Sequence, residues 1–274
     1  MASLVAILQA SRLPMLEARI LAAHALGVER VWISAHEKEE LDANRQTGIE
    51  ALFRRRRAGE PVAYLTGERE FYGLSLEITP AVLIPRPETE LLVERAIALL
   101  DEGTTVVDLG TGSGAIAIAL ALNCPAAQVS ACEASDVALA VARANAARHG
   151  ARLRLVKSDW FAGLHGQRFD LVVSNPPYIA LDDPHLLQGD LRFEPPEALV
   201  AGKSGLECID AIAVVAREHL HPGGWLLLEH GYDQGEACVQ LLERLGYANV
   251  SDHRDLSDNA RVVQAQFDPA FGRG

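Results

Sequence analysis

The stretch Ser-Asn-Pro-Pro-Tyr-Ile at residues 174–179 contains side chains that are well suited to chemistry. Pro176 and Pro177 donate no backbone hydrogen bonds, so they end the apolar strand that is predicted just before them. Asn175 then offers an amide oxygen, Pro176 a carbonyl oxygen and Tyr178 a flat ring. In open α/β sheets, ligands bind at the carboxyl ends of strands, which is where this stretch is predicted to lie.

These acceptors suit the methylation of a planar amino group. The nitrogen of an amide or an aromatic amine is a poor nucleophile, because its lone pair is delocalised. The side-chain oxygen of Asn175 can accept a hydrogen bond from one N–H of this amino group, and the carbonyl of Pro176 can accept from the other. These two hydrogen bonds orient the nitrogen and stabilise the charge that develops on it. Tyr178 can pack against the flat group. The strand ends show no Ser-Tyr-Lys or His-Asp set of the kind that hydride transfer needs.

A glycine-rich loop predicts a cofactor site. The loop, residues 110–114, consists of Gly110, Thr111, Gly112, Ser113 and Gly114. Glycines let the backbone turn sharply and approach a ligand closely, and the helix that follows favours an anionic group at its start. Glu133 ends the next predicted strand, where a carboxylate can accept hydrogen bonds from ribose hydroxyls. Together these features indicate a cofactor that contains a nucleoside.

The loop by itself leaves two cofactor classes open. Gly110, Gly112 and Ala115 also satisfy the loose G-x-G-x-x-A dinucleotide fingerprint, so the loop does not exclude NAD. Asp108, in the strand before the loop, favours S-adenosylmethionine. A carboxylate there could engage a cationic amino-acid end group, which dinucleotides lack.

Asp159 and Trp160 follow the third predicted strand of this part of the chain. Trp160 could stack on an adenine ring, and Asp159 could accept a hydrogen bond from the exocyclic amine. The alternative is that Trp160 is an ordinary core residue. The position at a strand's carboxyl end, beside the glycine loop, favours the cofactor site.

The elements that must position these groups form an α/β pattern. Strands are predicted at residues 104–109, 128–133, 153–157, 169–174, 225–230, 247–253 and 261–267. Helices are predicted at residues 113–122, 135–149, 205–220 and 233–245. This alternation implies right-handed parallel crossovers and a doubly wound, mostly parallel sheet of seven strands. The sequence His-Pro-Gly-Gly at residues 221–224 predicts a turn before the fifth strand.

The first part of the chain predicts a separate, small all-helical domain at residues 1–70. A β-hairpin linker is predicted at residues 71–86, and the α/β domain at residues 87–274. Within the helical part, Asp42 suits the N-cap of a helix that runs through Arg57. An earlier helix is predicted between Pro14 and Gly27, with Leu16, Ile20 and Ala23 on one face. Pro87 is predicted to begin a helix that carries Leu91, Leu92, Ala96, Leu99 and Leu100.

The composition narrows the possible functions. The net charge of −12 at pH 7 argues against nucleic-acid binding through overall charge, and the 49% share of apolar residues supplies a core. No signal peptide or membrane helix is expected. The four cysteines form no C-x-x-C pair and are predicted to be free thiols of a cytoplasmic protein. The nine histidines show no ligand spacing, so no metal is expected.

These motifs resemble those of class I S-adenosylmethionine-dependent methyltransferases that modify planar amino groups. The resemblance rests on residues 108–114, on Glu133 and on Asn-Pro-Pro-Tyr at residues 175–178. Two further stretches are similar to the peptide chain release factor glutamine methyltransferases. They are Ile-Pro-Arg-Pro-Glu-Thr-Glu at residues 84–90 and Gln-Gly-Asp-Leu-Arg-Phe-Glu-Pro at residues 188–195. This similarity extends over essentially the whole chain.

The resemblance implies methylation of the side-chain N5 of the glutamine in the Gly-Gly-Gln motif of bacterial class 1 release factors. S-adenosylmethionine would be the methyl donor, and the helical domain would help to grip the release factor. Neither a membrane nor nucleic acid is expected as a partner. The predicted cofactor-binding residues are Gly110, Thr111, Gly112, Ser113, Gly114, Glu133, Asp159, Trp160 and Asn175. The predicted substrate-binding residues are Asn175, Pro176, Pro177 and Tyr178, of which Asn175, Pro176 and Tyr178 are also the predicted catalytic residues.

Some alternatives stay open at the level of sequence. A ribosomal protein could supply the glutamine, and the Asn-Pro-Pro-Tyr sequence also occurs in enzymes that methylate amino groups of nucleic acids. Many relatives have aspartate where this chain has Glu133. Arg86 could close the active site or meet the release factor, or it could pair with a nearby carboxylate. Residues 193–195 could cover the substrate or pack on the sheet. The basic run at residues 54–57 is predicted to be a solvated helix end, with partner contact as the alternative.

Overall fold

The computed structural model describes residues 2–269, which divide into two compact units. The first unit contains the residues up to Glu68 together with Leu187–Phe193, and the second contains Arg69–Leu186 and the residues from Glu194 onward. In the described part of the chain, no helix combines the length and the apolar composition that a membrane crossing requires.

The first unit is helical apart from a two-residue antiparallel ladder, in which Ala2 pairs with Leu41. Its elements are β1 (Ala2–Ser3), α1 (Leu4–Ala10), α2 (Met15–Leu26), α3 (Arg30–Ala35), β2 (Glu40–Leu41), α4 (Ala43–Arg57) and α5 (Val62–Thr66). Large apolar side chains from these helices, including Leu8, Ile33 and Phe53, form a separate core. This confirms the prediction of a helical N-terminal region.

The two predicted helices of this unit are present. Asp42 caps α4, and its Oδ1 accepts a hydrogen bond from the backbone N–H of Arg45 at 2.9 Å. Gly27 ends α2 with a φ of +65°. The predicted apolar face of α2 was wrong at Leu16, which is 64% exposed, whereas Ala18 and Leu21 are fully buried. The reason is that α2 packs against α1, α3, α4 and α5, so the buried face is set by several neighbours.

The second unit begins in a β-hairpin and continues as an α/β domain. Its strands are β3 (Glu68–Phe71, whose first residue belongs to the first unit), β4 (Leu74–Glu77), β5 (Thr105–Leu109), β6 (Gln128–Glu133), β7 (Arg154–Lys157), β8 (Phe169–Ser174), β9 (Leu220–Glu229), β10 (Ala248–Arg254) and β11 (Ala260–Gln266). Its helices are α6 (Glu90–Ile97), α7 (Ala115–Asn123), α8 (Asp136–His149), α9 (Glu207–His219) and α10 (Gly235–Arg244). A short 3-10 turn, Pro87–Thr89, precedes α6.

Seven strands form one sheet in the order β10-β11-β9-β8-β5-β6-β7. The strands from β9 to β7 are parallel to one another, and β11 and β10 are antiparallel additions at one edge. The strand order reverses at β5, which lies between β8 and β6. The predicted doubly wound, mostly parallel sheet is therefore confirmed, and its reversal point is where such sheets bind ligands.

The strand register brings four carboxyl ends into one row. Leu109 of β5 pairs with Cys132 of β6 on one side and with Ser174 of β8 on the other. Ser174 in turn pairs with Leu228 of β9. The hydroxyl of Ser174 also donates to the carbonyl of Leu109 at 2.7 Å. Whatever follows these four residues therefore lies along one edge of the sheet.

Two local predictions were wrong. The segment at residues 221–224 is not a turn before a strand but an irregularity within β9. Phe169 pairs with Leu220 whereas Leu171 pairs with Trp225, so β9 contains extra residues that β8 does not match. The helix predicted to carry Leu99 and Leu100 ends earlier, at Ile97.

Candidate functional site

The residues that follow the aligned strand ends are Gly110, Glu133, Asn175 and Glu229. Gly110, Glu133 and Asn175 border a cavity of about 420 Å³ in the second unit. The cavity is lined by Ala81, Val82, Leu83, Gly110, Gly112, Glu133, Ala134, Ser135, Ala138, Ser158, Asp159, Trp160, Asn175, Pro177, Pro195, Glu197, Ala198, Val200 and Cys208. The sheet topology thus brings both predicted motifs, the glycine loop and Asn-Pro-Pro-Tyr, to one cavity.

The predicted site residues divide into those that line the cavity and those that support it. The lining set contains Gly110, Gly112, Glu133, Asp159, Trp160, Asn175 and Pro177. The other predicted residues are Thr111, Ser113, Gly114, Pro176 and Tyr178. Thr111 and Ser113 are buried, at 7% and 3% exposure. The Thr111 hydroxyl donates to Asp108, and the Ser113 carbonyl accepts from the Asn145 side chain at 2.9 Å, so both residues help to shape the loop.

The glycine loop needs its glycines for different reasons. Gly112 has a φ of +56°, and a Cβ built there would meet no atom within 4 Å. Its backbone therefore borders open space in the cavity. A Cβ on Gly110 would lie 3.2 Å from the Trp160 ring, and one on Gly114 would lie 2.9 Å from Ile118. Gly110 thus allows the ring to approach the loop, and Gly114 allows α7 to pack closely.

Glu133 holds the glycine loop from the neighbouring strand. Its Oε2 accepts the backbone N–H of Gly112 at 3.0 Å, and its Oε1 accepts the backbone N–H of Ser135 at 2.9 Å. Each carboxylate oxygen has two lone pairs, so both oxygens keep capacity for a ligand. Glu133 therefore has a structural role that the sequence did not predict, besides its place in the cavity wall.

Asp108 lies beneath the loop, fully buried at 0% exposure. The Thr111 hydroxyl donates to its Oδ2 at 2.6 Å, which ties the start of the loop to β5. Burial raises the pKa of Asp108 to about 7, against the opposing effect of the hydrogen bonds from Thr111 and from the backbone of Ala117. A nearby cationic group would favour the ionised form of this carboxyl.

Trp160 occupies the left-handed region of the backbone map, with a φ of +44°. Such a conformation is unfavourable for a bulky residue and must be held by its surroundings. The Ser158 hydroxyl stabilises this conformation. It donates to the Trp160 carbonyl at 2.7 Å and accepts the backbone N–H of Gly163 at 2.7 Å. The ring is thereby placed against Gly110, at the cavity wall.

The Asn175 side chain is fixed by a residue that the sequence reasoning missed. Its Nδ2 donates to the Thr89 hydroxyl at 3.1 Å, so the Oδ1 of Asn175 does not take part in this hydrogen bond. Thr89 is buried at 4% exposure and ends the 3-10 turn that the Arg-Pro-Glu-Thr-Glu stretch forms. The charged residues of that stretch, Arg86 and Glu88, carry the sequence signal, and Thr89 has no signal of its own.

Tyr178 lies behind the cavity and does not line it. Its hydroxyl donates to Oε1 of Glu229 at 3.3 Å, and its backbone carbonyl accepts from Gln234 at 3.0 Å. Burial, and next the charge of Glu229, raise the pKa of the Tyr178 hydroxyl.

Glu229 is a second residue that the sequence reasoning missed. Only 1% of it is exposed, and burial raises the pKa of its carboxyl to about 7. The Thr89 hydroxyl, the charge of Arg261 and the Tyr178 hydroxyl act in the opposite direction, whereas Glu88 adds to the rise. No sequence signal marked Glu229, because its position is that of an ordinary residue at the end of an apolar strand.

Arg86 pairs with Glu194, which is one of the two alternatives that the sequence left open. Glu194 is buried at 4% exposure, and its Oε2 also accepts the backbone N–H of Ile84 at 3.1 Å. The segment before the 3-10 turn is therefore joined to the residue that precedes Pro195 in the cavity wall. Charge neutralisation and a backbone hydrogen bond together compensate the burial of this carboxylate.

The arginine run at residues 54–57 is not simply a solvated helix end. Within the first unit, Arg56 donates to both carboxylate oxygens of Glu17, at 2.7 and 3.0 Å, and to Oδ1 of Asp190 at 2.8 Å. These bonds raise the pKa of Arg56 further above its ordinary value. Arg54 is exposed, so the four residues of the run differ in their surroundings.

The cavity suits a cofactor that contains a nucleoside. Open space beside Gly112 lets a ligand approach the loop backbone, and Glu133 offers acceptors to hydroxyl groups. Trp160 supplies an aromatic surface, whereas Asp108, the predicted partner of a cationic group, is fully buried under the loop and does not line the cavity. Among residues 2–269, no group of three or more His, Cys, Asp or Glu side chains is placed to hold a metal ion.

Two family models match this chain. The "Methyltransferase small domain" matches residues 87–187, and the "PrmC N-terminal domain" matches residues 2–67. Together they cover more than half of the sequence. The second match falls on the helical first unit.

Curated relatives extend the similarity over nearly the whole chain. The release factor glutamine methyltransferase of Bordetella pertussis is 51% identical over 253 residues, which cover 91% of this chain and 94% of the relative. The protein of the same name from Burkholderia pseudomallei is 52% identical over 265 residues, covering 93% of each. A crystal structure of a methyltransferase from Pyrococcus furiosus shares the fold, with a TM-score of 0.57 and 23% identity. That match covers 83% of this chain and all of the other.

Proposed function

Since the chain belongs to the release factor glutamine methyltransferase family, we propose that it methylates the side-chain N5 of the glutamine in the Gly-Gly-Gln motif of bacterial class 1 release factors. The donor in this proposal is S-adenosylmethionine, which supplies an electrophilic methyl group when it is bound. The acceptor is a primary amide. The cavity that the glycine loop borders is also lined by Asn175, so one cavity offers groups to the donor and an acceptor to the amide.

On the cofactor side, we assign binding to the glycine loop and the groups around it. The backbone of Gly110 and Gly112 would border the ligand, and the Glu133 carboxylate would accept from ribose hydroxyls. Trp160 and Asp159 would contact the adenine. Thr111, Ser113 and Gly114 would act indirectly, by keeping the loop in shape.

On the substrate side, Asn175 and Pro176 would hold the glutamine amide. The Oδ1 of Asn175 would accept one N–H and the carbonyl of Pro176 the other. Two fixed acceptors orient the nitrogen for attack on the methyl carbon and stabilise the positive charge that would grow on it as the N–C bond forms and the S–C bond of the donor breaks, with S-adenosylhomocysteine as the leaving group. The methylated amide nitrogen then releases one proton to solvent, so no strong base is needed. Pro177 would line the pocket, and Tyr178 would position the turn from behind.

The observation that supports this proposal most directly is the orientation of the Asn175 amide. Its nitrogen is engaged by Thr89, so its oxygen is the atom left to accept from a substrate. A reversed amide would present N–H groups to the N–H groups of glutamine, which could form no hydrogen bond.

The test is methyl transfer from labelled S-adenosylmethionine to a purified class 1 release factor. The matched control is the same factor with its Gly-Gly-Gln motif changed to Gly-Gly-Ala. We expect label on the unaltered factor only. Label on both factors would place the modification elsewhere, and label on neither, with cofactor binding intact, would direct the search to a ribosomal protein or to RNA.

We further propose that the helical first unit contacts the release factor and that the reaction takes place in the cytoplasm, where release factors act. Deleting the first unit is not a clean test, because Leu187–Phe193 packs within it. Substitutions on its exposed surface, at Leu16 or Val31, are more specific, since these side chains are 64% and 71% exposed. A rise in KM for the release factor, with cofactor affinity unchanged, would support this assignment.

A further inference from the structure

We propose that Gln234 is a positioning residue for methyl transfer, because its side-chain amide holds the backbone carbonyl of Tyr178 and thereby restricts the direction of the Pro176 carbonyl. This inference rests on the proposed function, since it concerns the same reaction. Gln234 lies in the turn between β9 and α10 and does not line the cavity, so it can act on a substrate only through its neighbours.

The strand register places the Gln234 turn beside the Asn-Pro-Pro-Tyr turn. Ser174, the last residue of β8, pairs with Leu228 in the parallel strand β9. Residues 175–178 follow the first of these two residues, and residues 229–234 follow the second. Both segments leave the same edge of the sheet, so a side chain from one can reach the backbone of the other.

The Gln234 side chain forms a bridge between two backbone groups. Its Oε1 accepts the backbone N–H of Gly231 at 2.8 Å, and its Nε2 donates to the Tyr178 carbonyl at 3.0 Å. The backbone N–H of Gln234 also donates to the Gly231 carbonyl at 2.9 Å, which closes the turn. An N–H needs an acceptor and a carbonyl needs a donor, so these partners permit only one direction of the Gln234 amide.

Gly205 lets the chain approach this bridge closely. It has a φ of +80°, and a Cβ built there would lie 2.6 Å from the Tyr178 carbonyl oxygen and 2.8 Å from the Nε2 of Gln234. A larger residue would push into the hydrogen bond between these two atoms. The segment before α9 therefore packs directly on the bridge and helps to keep its two atoms in place.

The stiffness of the turn carries this constraint to the proposed acceptor. The ring of Pro177 fixes its φ near about −65°, so the free backbone rotations between the Pro176 and Tyr178 carbonyls are ψ of Pro177 and the two angles of Tyr178. The next residue is also held, because the Ile179 N–H donates to the Leu199 carbonyl at 3.0 Å. With the Tyr178 carbonyl fixed by Gln234, the Pro176 carbonyl has little freedom to turn away from the glutamine nitrogen.

The first test compares steady-state kinetics of Gln234→Met and Gln234→Glu with the wild-type enzyme at pH 8. Gln234→Met loses both hydrogen bonds, whereas Gln234→Glu keeps an acceptor for Gly231 and loses the donor to Tyr178. We expect both variants to lower kcat by about 10- to 100-fold, because the acceptor is no longer preorganised. KM for the release factor and the affinity for S-adenosylhomocysteine should stay within about threefold, since Gln234 does not line the cavity.

The matched controls are Gln266→Met and Gln266→Glu. The Gln266 amide forms a similar bridge, because its Nε2 donates to the Gly223 carbonyl at 2.8 Å and its Oε1 accepts from Asn249 at 2.7 Å. Gln266 pairs with Trp225, which pairs with Leu171 near the start of β8, so this bridge lies at the opposite ends of the strands. Both controls should keep wild-type kcat. A normal kcat in either Gln234 variant, or an equal loss in the controls, would overturn the proposal.

A second readout does not depend on the acceptor. Tyr178 and Ile179 form the only Tyr-Ile pair in the sequence, so the full chain labelled with ¹³C-carbonyl tyrosine and ¹⁵N-isoleucine gives one NMR correlation from that peptide group. We expect this carbonyl signal to move in both Gln234 variants and to keep its position in both Gln266 variants. An unchanged signal in the Gln234 variants would refute the bridge, whereas a wild-type enzyme that is inactive on release factors would refute only the proposed function.

Discussion

The Asn175 side-chain nitrogen donates a hydrogen bond to the Thr89 hydroxyl at 3.1 Å, although 86 residues separate the two in sequence. This bond joins the turn before α6 to the turn after β8, and it engages the Nδ2 of Asn175, not the Oδ1 that we propose as the acceptor for the substrate. Several experiments follow from this arrangement and from the loop beside it.

Replacing Asn175 by alanine should separate binding from chemistry. The variant loses the acceptor that we propose for the substrate nitrogen, and we expect kcat to fall by roughly 100-fold or more. The affinity for S-adenosylhomocysteine, measured by calorimetry, should change by less than about threefold, because the glycine loop and Glu133 are intact. Asn123→Ala is the control, since that amide only bonds to the Ala119 carbonyl in α7. Near-normal turnover in Asn175→Ala would remove Asn175 from the mechanism.

Replacing Gly112 by valine should block the cofactor. A side chain there would extend into the open space beside the loop. The positive φ of +56° also adds backbone strain of about 1–2 kcal/mol, so a loss of stability must be separated from a loss of binding.

Gly150→Val is the control that separates the loss of stability from the loss of cofactor binding. Gly150 has a similar φ of +64°, and a Cβ added to it would meet no atom within 4 Å, but it ends α8 and does not line the cavity. Both variants should lose similar stability in urea, and only Gly112→Val should lose cofactor affinity, by at least about 100-fold. Equal affinities in the two variants would show that the cofactor does not approach Gly112.

The sequence predicted the parts of the site that depend on local rules. The glycine loop follows one strand, and the two prolines follow another. Because the two strands are parallel, the sequence predicts that both motifs lie at the same edge of the sheet. Thr89 and Glu229 could not be found this way. Thr89 contacts Asn175 and Glu229 contacts Tyr178, so both contacts join segments that are far apart in sequence, and Glu229 carries no pattern of its own. Leu16 shows the same limit, because the buried face of α2 depends on which helices surround it.

The Arg86–Glu194 pair should contribute strongly to the stability of the second unit. Arg86→Leu leaves the Glu194 carboxylate buried without its cation, and we expect the free energy of unfolding to fall by about 3 kcal/mol. Adding Glu194→Leu in the double variant should recover part of that loss. The control is Lys157→Met, which breaks the exposed pair with Asp136 and should cost less than about 1 kcal/mol. A similar small loss in Arg86→Leu would show that Glu194 is solvated in solution.

Arg56 should hold the segment Leu187–Phe193 within the first unit. Arg56→Met removes its bonds to Glu17 and Asp190, and hydrogen exchange of the backbone amides in that segment should become faster by about 10-fold. Arg54→Met is the control, because Arg54 is exposed in the same helix turn. Equal exchange rates in the two variants would mean that other contacts hold the segment.

The buried Glu229 carboxyl should make stability depend on pH in a definite direction. Its folded-state pKa, about 7, is above the ordinary value of 4.5, so between these two pH values the folded state binds more protons than the unfolded state. The free energy of unfolding that Glu229 contributes therefore falls as pH rises from about 4.5 to about 7, and it is constant above that window. The Glu229→Gln variant has no titratable group at this position, so it lacks this pH dependence.

The measurement is urea unfolding of both proteins at pH 5 and pH 8. The wild-type protein should lose on the order of 2 kcal/mol relative to Glu229→Gln between the two conditions. Asp108, whose pKa is also about 7, is present in both proteins and cancels in the comparison. A difference that stays constant with pH would show that Glu229 has the same protonation state in the folded and unfolded chain, and a difference of opposite sign would show that Arg261 and the two hydroxyl groups outweigh burial.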